Sequence, residues 1–167
     1  MITLKDYQER VLESLGDFFR LTAQTKKPEV AFREVTRRFG EAAPYFPVSA
    51  AGLGPDMPYV CLRVPTGGGK TLLACYAAGL AQRQFMRAER AVVLWLVPSH
   101  TILDQTADAL RDPCHPYRRA LELACGAVEV MTIDEALRLS RAVIDGQTVV
   151  IVSTIQSFRV EDTTGRR

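Results

Sequence analysis

The run Val64-Pro65-Thr66-Gly67-Gly68-Gly69-Lys70-Thr71 constrains this chain more than any other stretch. It follows the apolar segment Tyr59-Val60-Cys61-Leu62 and opens onto Leu72-Leu73-Ala74-Cys75-Tyr76-Ala77-Ala78. The local pattern is therefore strand, glycine-rich turn, Lys-Thr, helix. A turn of this kind wraps phosphate, because the backbone N–H groups of Gly67 to Lys70 point into it together with the helix N-terminus. Glycine is required where a Cβ would block the backbone angles or the close approach of the chain. Lys70 is placed to carry the charge of β- and γ-phosphates, and the Thr71 hydroxyl to ligate Mg²⁺. The general pattern starts with glycine, whereas this chain has Val64. Three successive glycines and Lys-Thr still argue against a loop that merely caps a helix.

Downstream, the pattern alternates. The strand at Tyr59–Val64 is followed by a helix over Lys70–Arg87 and a strand over Ala91–Val97, whose nearly unbroken apolar run predicts cover on both faces. Next come a helix at Ile102–Leu110, breaks at Pro113 and Pro116, and a short helix at Tyr117–Ala124. A strand at Ala127–Met131, a helix at Ile133–Val143 and an apolar strand at Thr148–Val152 complete the series. Repeated strand–helix units predict a parallel sheet flanked by helices, with ligands beyond the carboxyl ends of the strands. Ahead of this core, Leu4, Tyr7, Val11, Leu12, Leu15, Phe18 and Phe19 have helical spacing over Leu4–Leu21, with Thr3 as N-cap. A second amphipathic segment sets Val30, Phe32, Val35 and Phe39 against Arg33, Arg37 and Arg38, a face that is solvated unless it meets nucleic acid. Gly40 is placed to end it. The proline- and glycine-rich loop Ala43–Pro58 reads as the boundary between the two parts.

Bulk properties narrow the class. A net charge of +2 is too small to argue nucleic-acid binding, so any such site must be local. Cys61, Cys75, Cys114 and Cys125 form no Cys-x-x-Cys pair and read as reduced thiols. No apolar run approaches the ~20 residues of a membrane span. Met1–Tyr7 lacks the layout of a signal peptide, which places the expected site of action in the cytoplasm.

Two further strand ends carry small polar residues. One is Pro98-Ser99-His100-Thr101 with Gln105 just beyond; the other is Ser153-Thr154-Ile155-Gln156-Ser157. Hydroxyls and free N–H groups at helix starts suit sugar–phosphate contacts, although each could equally be an ordinary N-cap or turn. Asp6-Tyr7-Gln8 in a first helix, Pro65–Thr71, Val97-Pro98-Ser99 with Gln105, and Val149-Val150-Ile151-Val152-Ser153-Thr154-Ile155-Gln156 follow one another in a recognisable order. In that order they resemble the N-terminal part of a superfamily 2 DEAD/DEAH-type helicase, closest to the helicase (Res) subunit of type III restriction enzymes.

The resemblance runs from about Thr3 to the end of the chain, least diagnostically over 25–58. It implies an α/β fold: a three-layer P-loop NTPase (RecA-like) parallel sheet with flanking helices, incomplete, preceded by a helical N-terminal segment over 1–57. The first RecA-like domain would occupy 58–167, truncated before the DEAH box. It implies ATP and Mg²⁺ as cofactors, with Gln8 reading adenine, Pro65, Thr66, Gly67, Gly68, Gly69, Lys70 and Thr71 holding the triphosphate, Lys70 the catalytic residue and Thr71 the metal ligand. Pro98, Ser99, Gln105, Thr154 and Gln156 would line a nucleic-acid backbone, with DNA and a modification (methyltransferase) subunit as partners. His100 is read as a bystander in this stretch.

Asp134-Glu135 after Met131-Thr132-Ile133 imitates a Walker B box, in which Asp reaches Mg²⁺ and Glu positions water. Polar Thr132 interrupts the strand before it, and Thr132 with Glu135 makes a capping box. The separation 134 − 70 = 64 also leaves no room for a backbone-contacting strand end between loop and box. The pair is therefore read as a helix start. With neither that box nor a second domain, and with a polar end at Thr163–Arg167, the expectation is the front portion of an ATP-dependent DNA helicase or translocase, inactive alone. The alternatives are a non-catalytic remnant that binds nucleotide or nucleic acid, and a different P-loop NTPase that uses Asp134 and Glu135.

Overall fold

Three of the apolar runs pair side by side. In the computed structural model, which describes residues 3–40, 43–47 and 52–158, β1 (Val92–Val97), β3 (Thr148–Thr154) and β2 (Val128–Thr132) form a parallel sheet in the order β1-β3-β2. The polar tail Thr163–Arg167 and part of the proline- and glycine-rich loop lie outside the described residues. Val93 faces Val150 and Trp95 faces Val152 across the first pair, and Val130 faces Val150 across the second. Paired residues share a face, so one face is a continuous branched apolar surface. It is covered by α3 (Lys70–Leu80), α4 (His100–Arg111) and α5 (Pro116–Cys125), which contribute Cys75, Leu103, Ala107, Leu110, Ala120 and Leu121.

The helix that follows the glycine loop lies between two cores. Leu72, Cys75, Tyr76 and Ala78 of α3 join the sheet core, while Ala77 and Leu80 join a second cluster. That second cluster is built by α1 (Asp6–Thr25) and α2 (Pro28–Thr36) through Leu15, Phe18, Ala31 and Val35, with Tyr45 and Val60 packed on it. A helix apolar on most of its circumference is the expected solution for such a position. It crosses α5 closely: a Cβ on Gly79 would lie 2.4 Å from the Ala124 carbonyl oxygen. Past Leu80 the helix widens into a π turn at Ala81–Phe85, and Arg87 ends it with φ 53°. The widened turn aims the Gln82 amide inward. Its Nε2 donates to the Glu89 carbonyl at 2.7 Å and the Cys125 carbonyl at 3.3 Å, and its Oε1 accepts from Thr148 Oγ1 at 3.0 Å. One buried amide thus ties the ends of α3 and α5 to the start of β3.

Several sequence expectations are corrected. Tyr59–Val64 is not a strand: it exchanges no ladder hydrogen bonds with any of the described residues, and a strand exists only through its partner. β1 is not covered on both faces; Val92, Leu94 and Leu96 are 50%, 49% and 46% exposed because β1 is an edge strand with one face unpacked. The single helix over Ile133–Val143 is two, α6 (Ile133–Ala136) and α7 (Arg141–Gly146), separated where Ser140 turns extended at φ −88°, ψ 152°. Leu137, the next apolar residue in the helical series, is 81% exposed, so no burial sustains the helix there. At the N-terminus Lys5, not Thr3, takes the extended N-cap position. In α2 the buried side is Pro28, Ala31 and Val35, while Val30, and Phe39 in the turn after the helix, lie exposed.

Two of the three arginines opposite that face are already paired. Arg38 Nη1 reaches Asp17 Oδ2 at 2.5 Å, and Arg37 reaches Glu34 at 3.7 Å. Asp17, which also holds Arg20 at 2.6 Å, has its carboxyl kept below the ordinary value of 3.8 by hydrogen bonds from Arg20 first and Arg38 second. An apolar cavity of about 460 Å³ lies between α1, α2 and residues 60–62, with Tyr7 at one margin. No helix of the described residues is long and apolar enough to cross a membrane.

Candidate phosphate-binding site

The glycines of the loop are required for two reasons. Gly67 (φ 76°) and Gly69 (φ 80°) take left-handed angles that L-residues adopt at a cost. Gly68 instead lacks space: a Cβ there would lie 2.6 Å from Val64 Cγ1 and 2.9 Å from the Pro65 carbonyl oxygen. At Gly69 a Cβ would also strike Gln8 Nε2 at 2.5 Å. The loop is wound on the Pro65 carbonyl, which accepts from Gly68 N at 3.0 Å and from Lys70 Nζ at 3.3 Å. Val64, where the general pattern has glycine, is the residue that fills the space beside Gly68.

Helix α3 begins with Leu73 N donating to the Gly69 carbonyl at 2.9 Å. The N–H groups of Gly69, Lys70, Thr71 and Leu72 have no backbone partner among the described residues. Four adjoining donors at a helix start, with an exposed lysine at the first helical position, make an electropositive end of a kind that suits phosphate oxygens. The donor set fits a polyphosphate: backbone N–H groups, an ammonium, and a Thr71 hydroxyl with no partner among the described residues, available as a hard oxygen ligand. Pro65 and Thr66 lie exposed on the approach to the turn.

The opposite side of the loop rests on α1. Gly68 O accepts from Tyr7 Oη at 2.8 Å and from Gln8 Nε2 at 3.0 Å. Gln8 Oε1 in turn accepts from Lys5 N at 2.9 Å. Gln8 is 5% exposed, so it is not a solvated helix glutamine. Its amide lies against Gly69, with one N–H and one oxygen lone pair engaged in these two bonds. Tyr7 was not singled out from sequence, since helical spacing accounts for it as a core residue; the sign was a hydroxyl on a ring beside Gln8 that, half-buried, needs a partner.

The two other strand ends are level with each other, because the register pairs Val97 with Thr154. Gln156 Nε2 donates to the Pro98 carbonyl at 3.2 Å and joins them. Ser99 caps α4, its Oγ accepting from Ile102 N at 3.4 Å, while Pro98, His100, Gln105 and Gln156 are exposed. Thr154 differs from these. It is buried, and its Oγ1 serves Ser157, with Oγ at 2.9 Å and N at 3.3 Å, as the cap of the turn that follows β3. No hydrogen bond among the described residues joins either strand end to the glycine loop.

Asp134 and Glu135 sit at the start of α6. Thr132 and Glu135 form the capping box, with Thr132 N donating to Glu135 Oε2 at 2.7 Å. The same oxygen accepts from the Arg111 guanidinium. Glu135 is held below its ordinary value of 4.5 chiefly by the Thr132 N–H, with Arg111 adding to it. Its carboxylate is occupied with the helix start. Among the described residues no group of three or more His, Cys, Asp or Glu side chains could hold a metal. Burial pushes the Cys75 thiol up to about 12 and the Cys125 thiol to about 11, so both behave as core residues.

No curated protein and no solved structure matches the chain at a significant level. The family model described as type III restriction enzyme, res subunit, matches residues 1–166. With a parallel three-stranded α/β sheet, flanking helices and a glycine loop opening α3, this is an incomplete RecA-like domain of helicase type, and the chain belongs to the type III restriction enzyme res-subunit family.

Proposed function

We propose that the chain is the ATP-binding portion of a DNA helicase or translocase, in which the loop Pro65–Thr71 is a Walker A motif that holds ATP with Mg²⁺. The observation that carries this reading is the set of four unpartnered N–H groups from Gly69 to Leu72 beside Lys70. Those donors and the Lys70 ammonium would hold the β- and γ-phosphate oxygens, and the Thr71 hydroxyl would be a ligand of Mg²⁺, which supplies charge neutralisation when bound. Lys70 leaves the Pro65 carbonyl to do so. The free N–H and lone pair of the Gln8 amide can meet the edge of adenine, which gives that residue a place at the nucleoside end.

The exposed groups of Pro98, Ser99, Gln105 and Gln156, with Thr154 holding the second turn in shape, are read as contacts to one DNA backbone. The level register of the two strand ends, Val97 opposite Thr154, and the Gln156–Pro98 bond that joins them support that. The pairing of Glu135 with Thr132 and Arg111 speaks against Asp134 and Glu135 as a hydrolytic pair. A modification subunit is the protein partner proposed. Titration of the chain with ATP·Mg²⁺ tests the reading: Lys70→Ala should weaken binding more than tenfold, and Glu135→Gln should leave it unchanged. Equal affinity in Lys70→Ala and the parent chain would refute the loop assignment; loss of binding in Glu135→Gln would restore the Walker B alternative.

A further inference from the structure

The peptide between Gly68 and Gly69 is held from the side of α1. Its carbonyl oxygen has two lone pairs, one taken by Tyr7 Oη at 2.8 Å and the other by Gln8 Nε2 at 3.0 Å. The peptide unit is planar and trans, as every described peptide bond is, so the N–H of Gly69 points opposite to that carbonyl. Fixing the oxygen against α1 therefore fixes the Gly69 N–H away from α1, and that N–H, like those of Lys70, Thr71 and Leu72, has no backbone partner among the described residues. Gly69 needs such a hold. A glycine at φ 80° has wide conformational freedom, and the next ordered bond, Leu73 N to Gly69 O, lies on the helix side. Of the two donors, Gln8 is further tied through its Oε1 to Lys5, whereas the Tyr7 hydroxyl makes the single hydrogen bond to Gly68.

We infer that Tyr7 is a positioning residue for polyphosphate binding: its hydroxyl orients the Gly68–Gly69 peptide so that the Gly69 N–H is presented to a phosphate oxygen. The inference rests on the proposed phosphate site and deepens it by adding a residue outside the loop. Its action is on the phosphate end of the ligand and is independent of any base. Inorganic tripolyphosphate is therefore the discriminating probe, used beside ATP·Mg²⁺ in calorimetric titrations of the full chain.

Tyr7→Phe keeps the ring in the α1 packing and removes one hydrogen bond. It should weaken tripolyphosphate and ATP by the same factor, about three- to tenfold. The backbone amide resonance of Gly69 should shift in the ligand-free variant, a signature that a loss of general stability does not give. Tyr45→Phe is the control, because it removes a hydroxyl that accepts from Tyr59 N at 3.0 Å and makes no bond to the loop; both affinities should stay at the parent value. If the parent chain binds neither ligand, the phosphate site itself is wrong. If the parent binds both and Tyr7→Phe binds them equally well, the site stands and the positioning role falls. A Tyr7→Phe variant weakened for ATP alone would assign the residue to the nucleoside end and likewise overturn the inference.

Discussion

The glycine loop and the strand ends at residues 98–99 and 154–157 are held by different means. The strand ends continue a parallel ladder whose register, Val97 opposite Thr154, is set by backbone pairs along β1 and β3. The loop follows a segment with no ladder partner among the described residues, and its hold comes from Tyr7 and Gln8 on one carbonyl. A backbone ladder tolerates changes of side chain so long as the buried face stays apolar. A two-donor clamp does not. The comparison teaches that the geometry of the candidate phosphate site depends on a few side chains of α1, while that of the strand ends is spread over a sheet.

The largest expected effect is at the clamp. Gly69→Ala places a methyl group 2.5 Å from Gln8 Nε2, at a left-handed backbone angle that costs on the order of 1–2 kcal/mol. Polyphosphate affinity should fall by tenfold or more, with a smaller drop in unfolding midpoint; a variant that binds as the parent does would show that the clamp is dispensable. At the strand ends the parallel change is Gln156→Ala, which removes the bond to the Pro98 carbonyl and leaves the ladder intact. Single-stranded DNA affinity, read by fluorescence anisotropy at fixed salt, should fall only about two- to fivefold, the equivalent of roughly 0.5–1 kcal/mol. A collapse of binding would mean that this end, too, hangs on one side chain.

The smallest effect is on acid stability. Asp17, at the middle of α1, has a folded-state value below 3.8 because Arg20 and Arg38 favour its charged form. A depressed carboxylate contributes stability above its unfolded value that is lost as pH falls through the folded one. The parent chain should therefore lose more stability than Asp17→Asn as the pH drops from 5 toward 2, measured by denaturant unfolding. Parallel losses in the two chains would show that the pairing of Asp17 with Arg20 and Arg38 carries no net weight.

Legibility followed the same divide. Sequence periodicity placed α1, α4, α5, β2 and β3 to within a few residues, because each buries a regular stripe that the residues themselves carry. The capping box at Thr132 and Glu135 was readable because both partners lie within one helical turn. The glycine loop was readable for a similar reason: its requirements fall on three consecutive residues. What was missed is non-local. Whether Tyr59–Val64 is a strand depends on a partner from a distant part of the chain, and the cover of β1 depends on what packs on its second face. Gln82 falls within a helical stretch, and nothing in its neighbours announces a π turn or the buried Thr148 opposite. The Tyr7–Gly68 bond spans sixty-one positions and has no periodic sign at all.

One measurement addresses the central claim directly: titration of ATP·Mg²⁺ into the isotopically labelled chain, following backbone amide resonances. The largest shifts should fall on Gly67 to Leu72 and extend to Tyr7 and Gln8, with the amides of Ser99 and Gln156 moving least. Shifts that centre on the cavity between α1 and α2, or on Asp134 and Glu135, with the loop unmoved, would contradict the account.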